Sequence, residues 1–273
     1  MASLLIDGEK CKKCGMCSAE CPIGIIQFME KESPPSWIDG AEALCINCGH
    51  CVAICPNGAL GLSTMPIEKC VPITKDLIST SEQLEQFLKS RRSIRAYKEN
   101  LVEHDKLAKL IDIARYAPSG HNSQPVQWLV IEKREDVKQL AQLTVDWLRG
   151  LVKKEPAIAE MIRAEALANY WDMGIDIITR WAPHLVIAHT QKDSNFSLDC
   201  HIAMTYLELA AHSMGLGACW AGFVQISAVR DPSLAQALQL PENHLCYGAM
   251  MIGYPKYKFS RIPMKSAPPI TWR

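Results

Sequence analysis

Two copies of one cysteine pattern lie near the start of the chain, and they constrain its fold more than any other feature. The pattern is Cys-x2-Cys-x2-Cys-x3-Cys-Pro, and each position of the second copy lies 34 residues after its counterpart. The cysteines are Cys11, Cys14, Cys17 and Cys21 in the first copy and Cys45, Cys48, Cys51 and Cys55 in the second. Because the spacing repeats residue for residue, it indicates redox or metal chemistry rather than unrelated buried thiols.

Zinc and disulfide bonds are two ordinary explanations for paired cysteines. Zinc also takes four thiolates at Cys-x2-Cys spacing, but zinc ribbons do not add a third cysteine followed by x3-Cys-Pro. Disulfides are expected mainly in exported chains, and residues 1–6 lead into Cys11 too quickly for a signal or transit peptide. Pro22 and Pro56 fix φ and end local helix where the chain must turn back. The pattern therefore favours an iron–sulfur site.

The spacing resembles that of bacterial-type two-cluster ferredoxins, which hold a pair of [4Fe–4S] clusters. In that family the fourth cysteine of each run ligates the other cluster. The resemblance assigns one cluster to Cys11, Cys14, Cys17 and Cys55, and the second to Cys21, Cys45, Cys48 and Cys51. It implies that electron transfer is the chemistry of this part of the chain.

The internal repeat extends beyond the cysteines and indicates the domain boundaries. Ile-Asp-Gly precedes both runs, at residues 6–8 and 38–40. We predict a two-cluster ferredoxin-like domain over residues 1–64, built from two hairpin-and-loop halves. Residues 65–78 form a predicted linker in which Cys70 has no assigned partner, and residues 79–273 form a second domain.

Balanced charge excludes several classes of partner. The 273 residues carry 29 basic and 29 acidic side chains, so neither nucleic acid nor an anionic membrane surface is expected as a partner. No apolar run reaches the roughly 18 residues that a membrane-spanning helix needs. Thiolate ligands need a reducing compartment, so we expect a cytoplasmic protein.

Hydrophobic periodicity predicts an α+β fold for the second domain, with helices flanking a mixed central sheet. Helices are predicted over residues 81–88, 103–116, 135–154, 158–181 and 197–214, and strands over residues 128–131, 184–188 and 244–254. The helix over residues 197–214 is apolar nearly all round, which is typical of a domain centre or a subunit interface.

Three short motifs give this domain its chemistry. They are Arg-Arg-Ser-Ile-Arg at residues 91–95, Ala-Pro-Ser-Gly-His-Asn-Ser-Gln-Pro at residues 117–125, and Gly-Leu-Gly-Ala-Cys-Trp-Ala-Gly at residues 215–222. Singly, each has an ordinary explanation as a solvated helix end, a turn or a helix cap. In this order and spacing they resemble the nitroreductase superfamily of FMN flavoproteins, over about residues 80–262.

The resemblance implies an FMN site at the interface of a homodimer. Guanidinium groups suit both the phosphate and the flavin edge that becomes negative on reduction. Asn122 would reach the flavin from the partner subunit, and the backbone amides of Ala221 and Gly222 would face the flavin ring. The implied FMN-binding residues are Arg91, Arg92, Ser93, Arg95, Asn122, Ala221, Gly222, Lys258 and Arg261. No side chain stands out as a catalytic acid or base.

Together the two resemblances imply an iron–sulfur flavoprotein oxidoreductase. An external donor, such as a ferredoxin or a reductase, would pass single electrons through the clusters to FMN, which would reduce a nitroaromatic, a quinone or an activated alkene. Two alternatives stay open: a redox sensor or electron shuttle, and a superfamily branch that dehydrogenates its substrate. No Gly-x-Gly-x-x-Gly occurs, so no separate nicotinamide-binding domain is expected, although NAD(P)H could bind directly over the flavin.

Four aromatic residues and one cysteine of the second domain have two interpretations each. Within or beside residues 140–180, Trp147, Tyr170, Trp171 and Trp181 either line a substrate pocket or only pack. Cys219 lies in the third motif, close to the presumed flavin segment, and is interpreted as a packed thiol or as a redox group.

Overall fold

The structure is a computed structural model that describes residues 2–29, 33–192 and 196–273. Contacts between residues divide the chain into two compact units. The first comprises Met1–Ile78 together with His121–Ser123, and the second comprises Ser79–Gly120 together with Gln124–Arg273. Each unit has a hydrophobic core of its own.

Two short antiparallel strand pairs frame the first unit. Strand β1 (Leu4–Ile6) pairs with β4 (Leu60–Leu62), and β2 (Ile26–Gln27) pairs with β3 (Ser36–Trp37). The one-turn helices of this unit are α1 (Met16–Ala19), α2 (Ala41–Leu44) and α3 (His50–Ala53). Each pair takes one strand from each half of the repeat, whereas the sequence pattern predicts a hairpin within each half. Strands this short are not stable as isolated hairpins, so the halves interlock instead.

The internal repeat is visible in the backbone conformation. Left-handed φ angles recur 34 residues apart, at Lys13 (54°), Gly15 (73°) and Gly24 (70°) and at Asn47 (53°), Gly49 (74°) and Gly58 (57°). The middle pair, Gly15 and Gly49, directly precedes α1 and α3. The two cysteine runs therefore fold into the same loop-and-helix shape.

The predicted linker, residues 65–78, has a packed start and an exposed end. Met65, Ile67 and Cys70 pack against the core of the first unit, and the Cys70 thiol donates to the Pro66 carbonyl oxygen at 3.5 Å. Val71 and Leu77 are more than four-fifths exposed, at 90% and 81%. The packed residues belong to the first unit by their contacts.

A four-stranded sheet lies at the centre of the second unit, and it confirms the α+β fold. In spatial order its strands are β5 (Gln127–Ile131), β6 (His184–Gln191), β8 (His244–Gly253) and β7 (Gly217–Trp220). The helices are α4 (Ser81–Ser90), α5 (His104–Ala114), α6 (Arg134–Lys154), α7 (Pro156–Met161), α8 (Ala164–Asp172), α9 (Ser197–Ser213), α10 (Gly222–Arg230) and α11 (Pro232–Leu238).

The strand directions differ from the mixed sheet that the sequence pattern predicts. All three neighbouring pairs of this sheet, as far as the structure describes it, are antiparallel. Helix α9 returns the chain so that β6 and β7 run in the same direction, but β8 lies between them and opposes both. Apolar patterns locate strands and do not say which strands become neighbours.

Apolar side chains of the sheet alternate between two cores, one on each face. Leu185 and Ile187 join the core formed with α6, α7, α8, α10 and α11. Val186 and Ala188 join the core formed with α5 and α9. Because helices cover both faces, β6 and β8 are continuous apolar runs rather than alternating ones.

Several helical boundaries differ from the prediction. Residues 158–181 are predicted as one helix, but α7 ends at Met161, α8 covers Ala164–Asp172, and an irregular loop follows. Arg163 (φ 57°) and Gly174 (φ 78°) adopt left-handed conformations that an α-helix does not contain. Strand β7 and helices α10 and α11 lie outside the predicted elements. None of the described helices is both long and apolar enough to cross a membrane.

Candidate functional site

The cysteines of the two runs line two separate cavities in the first unit. One cavity is lined by Cys11, Cys14, Cys17 and Cys55, and the other by Cys21, Cys45, Cys48 and Cys51. Each cavity thus takes three cysteines from one run and the fourth from the other, as the ferredoxin resemblance implies. Within the described ranges, no three His, Cys, Asp or Glu side chains converge on a single metal ion. Four thiols around a shared space suit a multi-iron cluster, whose thiolates bind different iron atoms.

The electrostatics of these cavities favour a cationic occupant. Burial raises the pKa of Cys51 to about 11, and the thiols of Cys48, Cys21 and Cys45 contribute to the increase. Burial also raises the pKa of Cys17. Four thiolates close together in an apolar cavity repel one another, so bound iron is needed to hold them deprotonated.

The Arg-Arg-Ser-Ile-Arg segment lies along the edge of the sheet in the second unit. The Ile94 N–H donates to the Ala218 carbonyl oxygen of β7 at 2.9 Å. Farther along, the Lys98 N–H donates to Tyr254 O at 2.8 Å, and the Lys256 N–H donates to Ala96 O at 2.9 Å. These bonds fix the backbone that carries the arginines, although the segment is separated by much of the chain from β7 and β8.

The arginines of this segment have different surroundings. The Arg91 guanidinium pairs with the Glu208 carboxylate at 2.7 Å. Arg92 donates to the Arg91 carbonyl oxygen, and its buried Nε has no hydrogen-bond partner among the described residues. Arg95 is exposed and forms no ion pair with a described acid. An orphaned buried donor and an unpaired guanidinium are a donor set that fits an anionic cofactor such as FMN.

The residues at the start of α10 differ in what their amides can bind. The Ala221 N–H donates to the Ala249 carbonyl oxygen at 2.8 Å, so it is committed to the sheet and not free to face a flavin. Gly222 is exposed at the first turn of α10, and a Cβ added there would meet nothing within 4 Å. First-turn amides of a helix have no partner within the helix. Of the predicted pair, Gly222 is the residue whose backbone can approach a ligand.

The other predicted FMN residues lie elsewhere. Ser93 hydrogen-bonds the Cys219 thiol. Burial raises the pKa of this thiol, whereas the Arg95 guanidinium and the hydrogen bond from Ser93 oppose the increase. Lys258 and Arg261 lie in an exposed C-terminal segment without regular structure. Asn122 belongs to the first unit by its contacts, where its Nδ2 donates to Ile46 O at 3.2 Å and Asn47 O at 2.9 Å. The flavin contact of Asn122 stays a prediction.

The tryptophans within or beside residues 140–180 pack against one another or against the core of the second unit. Trp171 stacks on Trp181 with ring centroids 5.5 Å apart, and its Nε1 donates to Gln142 Oε1 at 2.8 Å. Trp147 packs against the core that includes α6. These contacts favour the packing interpretation for all three tryptophans. Tyr170 is 44% exposed.

Three residues near the arginine segment were not found from the sequence. Glu208 on α9 binds Arg91, Arg180 lies in the loop before β6, and Tyr97 donates through its hydroxyl to Ile94 O at 2.8 Å. Tyr97 lies two residues after the motif and could have been included with it. Arg180 and Glu208 are distant in sequence, and no local pattern marks them.

Comparison with known proteins agrees with both parts of the chain. Residues 88–254 match the nitroreductase family, and residues 10–60 match the family described as 4Fe-4S dicluster domain. An Archaeoglobus fulgidus protein, provisionally named NADH dehydrogenase/NAD(P)H nitroreductase, is 27% identical over 177 residues, covering 64% of this chain and 87% of its own. The FMN reductase (NAD(P)H) of Bacillus subtilis is 28% identical over 181 residues, covering 64% and 67%.

A solved structure shares the fold of the second unit. The FMN-bound nitroreductase of Bacteroides fragilis aligns with a TM-score of 0.56 at 24% identity, covering 71% of this chain and all of its own. The family match spans more than half of the chain. The chain therefore belongs to the nitroreductase family, and a 4Fe-4S dicluster domain precedes its nitroreductase domain.

Proposed function

We propose that this protein is an FMN-dependent oxidoreductase that reduces a small organic acceptor with electrons delivered through two [4Fe–4S] clusters. The proposal depends on one observation: the same chain contains two cavities lined by four cysteines each and a nitroreductase-family domain. Clusters carry single electrons, and FMN, when bound, exchanges electrons singly or in pairs. Low-potential clusters suit delivery of electrons better than their removal from a substrate, which favours the reductive direction.

The residues of the second unit supply binding and electrostatics. Arg95, the buried Nε of Arg92 and the Gly222 amide are the donors that would hold FMN. Lys258 and Arg261, which form no ion pair with an acid of the described residues, would pair with its phosphate. Arg91 would act indirectly, because its pairing with Glu208 fixes the start of the arginine segment. Cations beside the cofactor favour the negative charge that it gains on reduction.

A homodimer with FMN at the subunit interface is part of the proposal. Helix α9 buries one face but leaves an apolar stripe of Leu198, Ile202 and Tyr206 exposed, at 69%, 39% and 39%. The C-terminal segment also exposes large apolar side chains, among them Met264 (99%) and Trp272 (86%). Large apolar side chains left exposed on a helix face and on a terminal segment are typical of an interaction site. A second copy of the chain is the partner that we propose for it.

The acceptor that we propose is a nitroaromatic, a quinone or an activated alkene, and the donor is a low-potential protein such as a ferredoxin. NAD(P)H stays an alternative donor, because the Archaeoglobus fulgidus and Bacillus subtilis relatives are named for its use. A redox sensor would hold the same cofactors and turn over none of these acceptors.

Anaerobic photoreduction tests the proposal. The purified protein should show flavin and iron–sulfur absorbance, with about eight irons per chain. After photoreduction, the addition of a nitroaromatic or a quinone should reoxidise it faster than an equal concentration of free FMN reacts. Absence of flavin would refute the FMN site. A rate no greater than that of free FMN across all three acceptor classes would refute the reductase and favour the sensor.

A further inference from the structure

The Asn122 side chain holds the loop between the first two cysteines of the second run. Its Nδ2 donates to Ile46 O at 3.2 Å and to Asn47 O at 2.9 Å, so both hydrogens of the amide are used. Asn47 is itself left-handed (φ 53°), and its Oδ1 accepts from the Thr64 hydroxyl at 2.6 Å. Residues 46 and 47 are therefore fixed through two backbone carbonyls and one side chain.

Asn122 belongs to the Ala-Pro-Ser-Gly motif of the second domain and lies 75 residues along the chain from Asn47. Of this motif, only His121–Ser123 belong to the first unit by their contacts. His121 (φ 52°) and Asn122 (φ 53°) are both left-handed, which is a strained conformation for two successive residues other than glycine. Such strain persists where surrounding contacts maintain it, and the contacts of Asn122 are with the cysteine loop.

The two cysteine runs differ at this point, although their backbone conformations repeat. Lys12 and Lys13 occupy the equivalent loop positions of the first run. A side-chain amide also lies beside the first run, but it is that of Asn57, whose Nδ2 donates to Lys10 O at 3.4 Å, before the first cysteine. The loop of the second run is thus bound by a residue from outside the repeat, which makes the two cluster sites inequivalent.

The carbonyl contacts determine where the neighbouring backbone amides point. In a trans peptide the N–H and C=O groups point in opposite directions, so the Asn47 and Cys48 N–H groups point away from Asn122. Neither N–H donates to an acceptor among the described residues. Ile46 and Cys48 both line the cavity of the second cluster. These two N–H groups are therefore available to the sulfur atoms of a bound cluster.

Hydrogen bonds to the sulfur atoms stabilise the more negative, reduced form of a cluster and raise its reduction potential. A hydrogen bond accepted by a peptide carbonyl also polarises that peptide and strengthens its N–H as a donor. We infer that Asn122 is a positioning residue of the second cluster, where it orients the Asn47 and Cys48 amides toward the cluster sulfurs and raises the reduction potential. Electrons in the first unit are thereby biased towards this cluster. The inference rests on the proposed passage of electrons through the clusters.

Redox titration followed by electron paramagnetic resonance measures this effect on the intact protein with its clusters. Asn122→Gly removes the amide and keeps the backbone, because glycine readily adopts a φ of 53°. One of the two cluster potentials should fall by about 59 mV, which is a tenfold change in a one-electron equilibrium. Asn122→Asp keeps the shape of the side chain but has no hydrogen to donate, and it should lower the same potential at least as far.

Thr64→Val is the matched control, since it removes another hydrogen bond to Asn47 but none to a backbone carbonyl. Both potentials should be those of the wild type in this variant. Hydrogen exchange followed by mass spectrometry identifies the loop that is affected. The amides of residues 45–49 should exchange faster in Asn122→Gly than in the wild type, whereas those of residues 11–15 should not change. Iron analysis should give about eight irons per chain in every variant.

Four outcomes would overturn the inference. Unchanged potentials in both Asn122 variants would show that the amide does not act on a cluster. Equal falls of both potentials, or the same fall in Thr64→Val, would show a general loosening of the first unit. Faster exchange of residues 11–15 alone would assign the effect to the first cluster. Weaker FMN binding with unchanged potentials would assign Asn122 to the flavin instead.

Failure of the proposed function would look different from all four. A wild-type protein that held both clusters but passed no electrons from them to FMN would refute the proposed route. The change of potential in Asn122→Gly would still be measurable in that protein, because the titration observes the clusters directly.

Discussion

Cys55 belongs to the second cysteine run but lines the cavity of the first cluster, together with Cys11, Cys14 and Cys17. Its thiol accepts from the Ala59 amide at 3.2 Å, in the turn that leads to β4. Because β4 pairs with β1, a ligand at this position ties both halves of the repeat to one cluster. The crossed grouping follows from spacing plus family resemblance, whereas spacing alone leaves zinc as an alternative.

We predict that Cys55→Ala loses the first cluster and weakens the whole first unit. Iron content should fall by about half, since one of two four-iron clusters is lost. Cys70→Ala is the matched control, because Cys70 packs on the same core but lines neither cavity. Iron and acid-labile sulfide analysis measures both variants. Full iron occupancy in Cys55→Ala would show that the crossed assignment is wrong.

Buried His189 and half-buried His244 form a pair near the point where the register of β6 and β8 shifts. Their Nδ1 atoms lie 2.9 Å apart, so one ring must donate and the other accept, with at least one ring neutral. Burial lowers the pKa of His189 to about 4, and the His244 ring contributes to the decrease. His189 is 4% exposed, so little solvent is available to stabilise its protonated form.

This pair should make the second unit sensitive to acid. The unfolded chain binds a proton on His189 near its ordinary pKa of 6.5, and the folded chain does so near 4. The free energy of unfolding should therefore fall as the pH drops from 6.5 to 4, by about 3 kcal/mol in total. In His189→Asn the loss over this window should be smaller by that amount, as measured by urea unfolding followed by circular dichroism. Exposed His104→Asn is the control and should lose stability as the wild type does.

At the residue scale, sequence patterns identify types of donor better than their partners. The arginine run predicts an anion site, and among the described residues neither the buried Nε of Arg92 nor the Arg95 guanidinium has an acidic partner, which agrees with it. The pairing of Arg91 with Glu208 could not be foreseen, because it depends on how α9 packs. The commitment of the Ala221 amide to Ala249 likewise depends on the neighbours of β7.

At the scale of elements, the attachment of the arginine segment to β7 positions the candidate flavin site. Gly217 permits this attachment, because a Cβ there would lie 2.7 Å from Ile94 Cγ2 and 2.8 Å from its Cβ and Cγ1. These atoms are close to the backbone and cannot move away as the end of a flexible side chain would. A side chain at residue 217 would therefore displace the backbone between Arg92 and Arg95.

We predict that Gly217→Ala lowers FMN affinity by about tenfold or more and destabilises the second unit by about 1–3 kcal/mol, as overpacking does. Gly150→Ala is the control, since Gly150 lies within α6 and a Cβ there meets nothing within 4 Å. That change should stabilise the helix by roughly 0.5–1 kcal/mol and leave FMN affinity unchanged. FMN titration and urea unfolding provide both quantities. If Gly217→Ala bound FMN as tightly as the wild type, the prediction would be wrong, and the arginine segment would not be part of the flavin site.

Elements with a strong periodic pattern were predictable, and those set by tertiary context were not. Helices α5, α6 and α9 and strands β5, β6 and β8 lie close to their predicted ranges. Strand β7 has only four residues, and α11 has seven, too few for a clear period. The sequence does contain a cap signal for α11, because Asp231 is followed by Pro232. In the structure the Asp231 side chain accepts from the Leu234 amide, and Pro232 lies in the first turn.

At the scale of the whole molecule, the exposed C-terminal segment and α9 stripe support a homodimer. We predict that deletion of residues 257–273 gives a monomer with exposed apolar surface, as measured by light scattering coupled to size-exclusion chromatography. The deletion also removes Lys258 and Arg261, so the double variant Lys258→Ala/Arg261→Ala is the control. That variant should remain dimeric and bind FMN more weakly. A monomeric wild type would refute the proposed assembly.

The central claim is that electrons reach FMN through the clusters, and rapid-mixing reduction by a low-potential ferredoxin tests it most directly. Wild-type protein and Cys21→Ala/Cys55→Ala, which lacks one proposed ligand of each cluster, are loaded with FMN and mixed anaerobically with the reduced donor. Flavin bleaching should be at least tenfold slower in the variant, with unchanged FMN affinity as the control for the second unit. Equal rates of flavin reduction in both proteins would contradict the account.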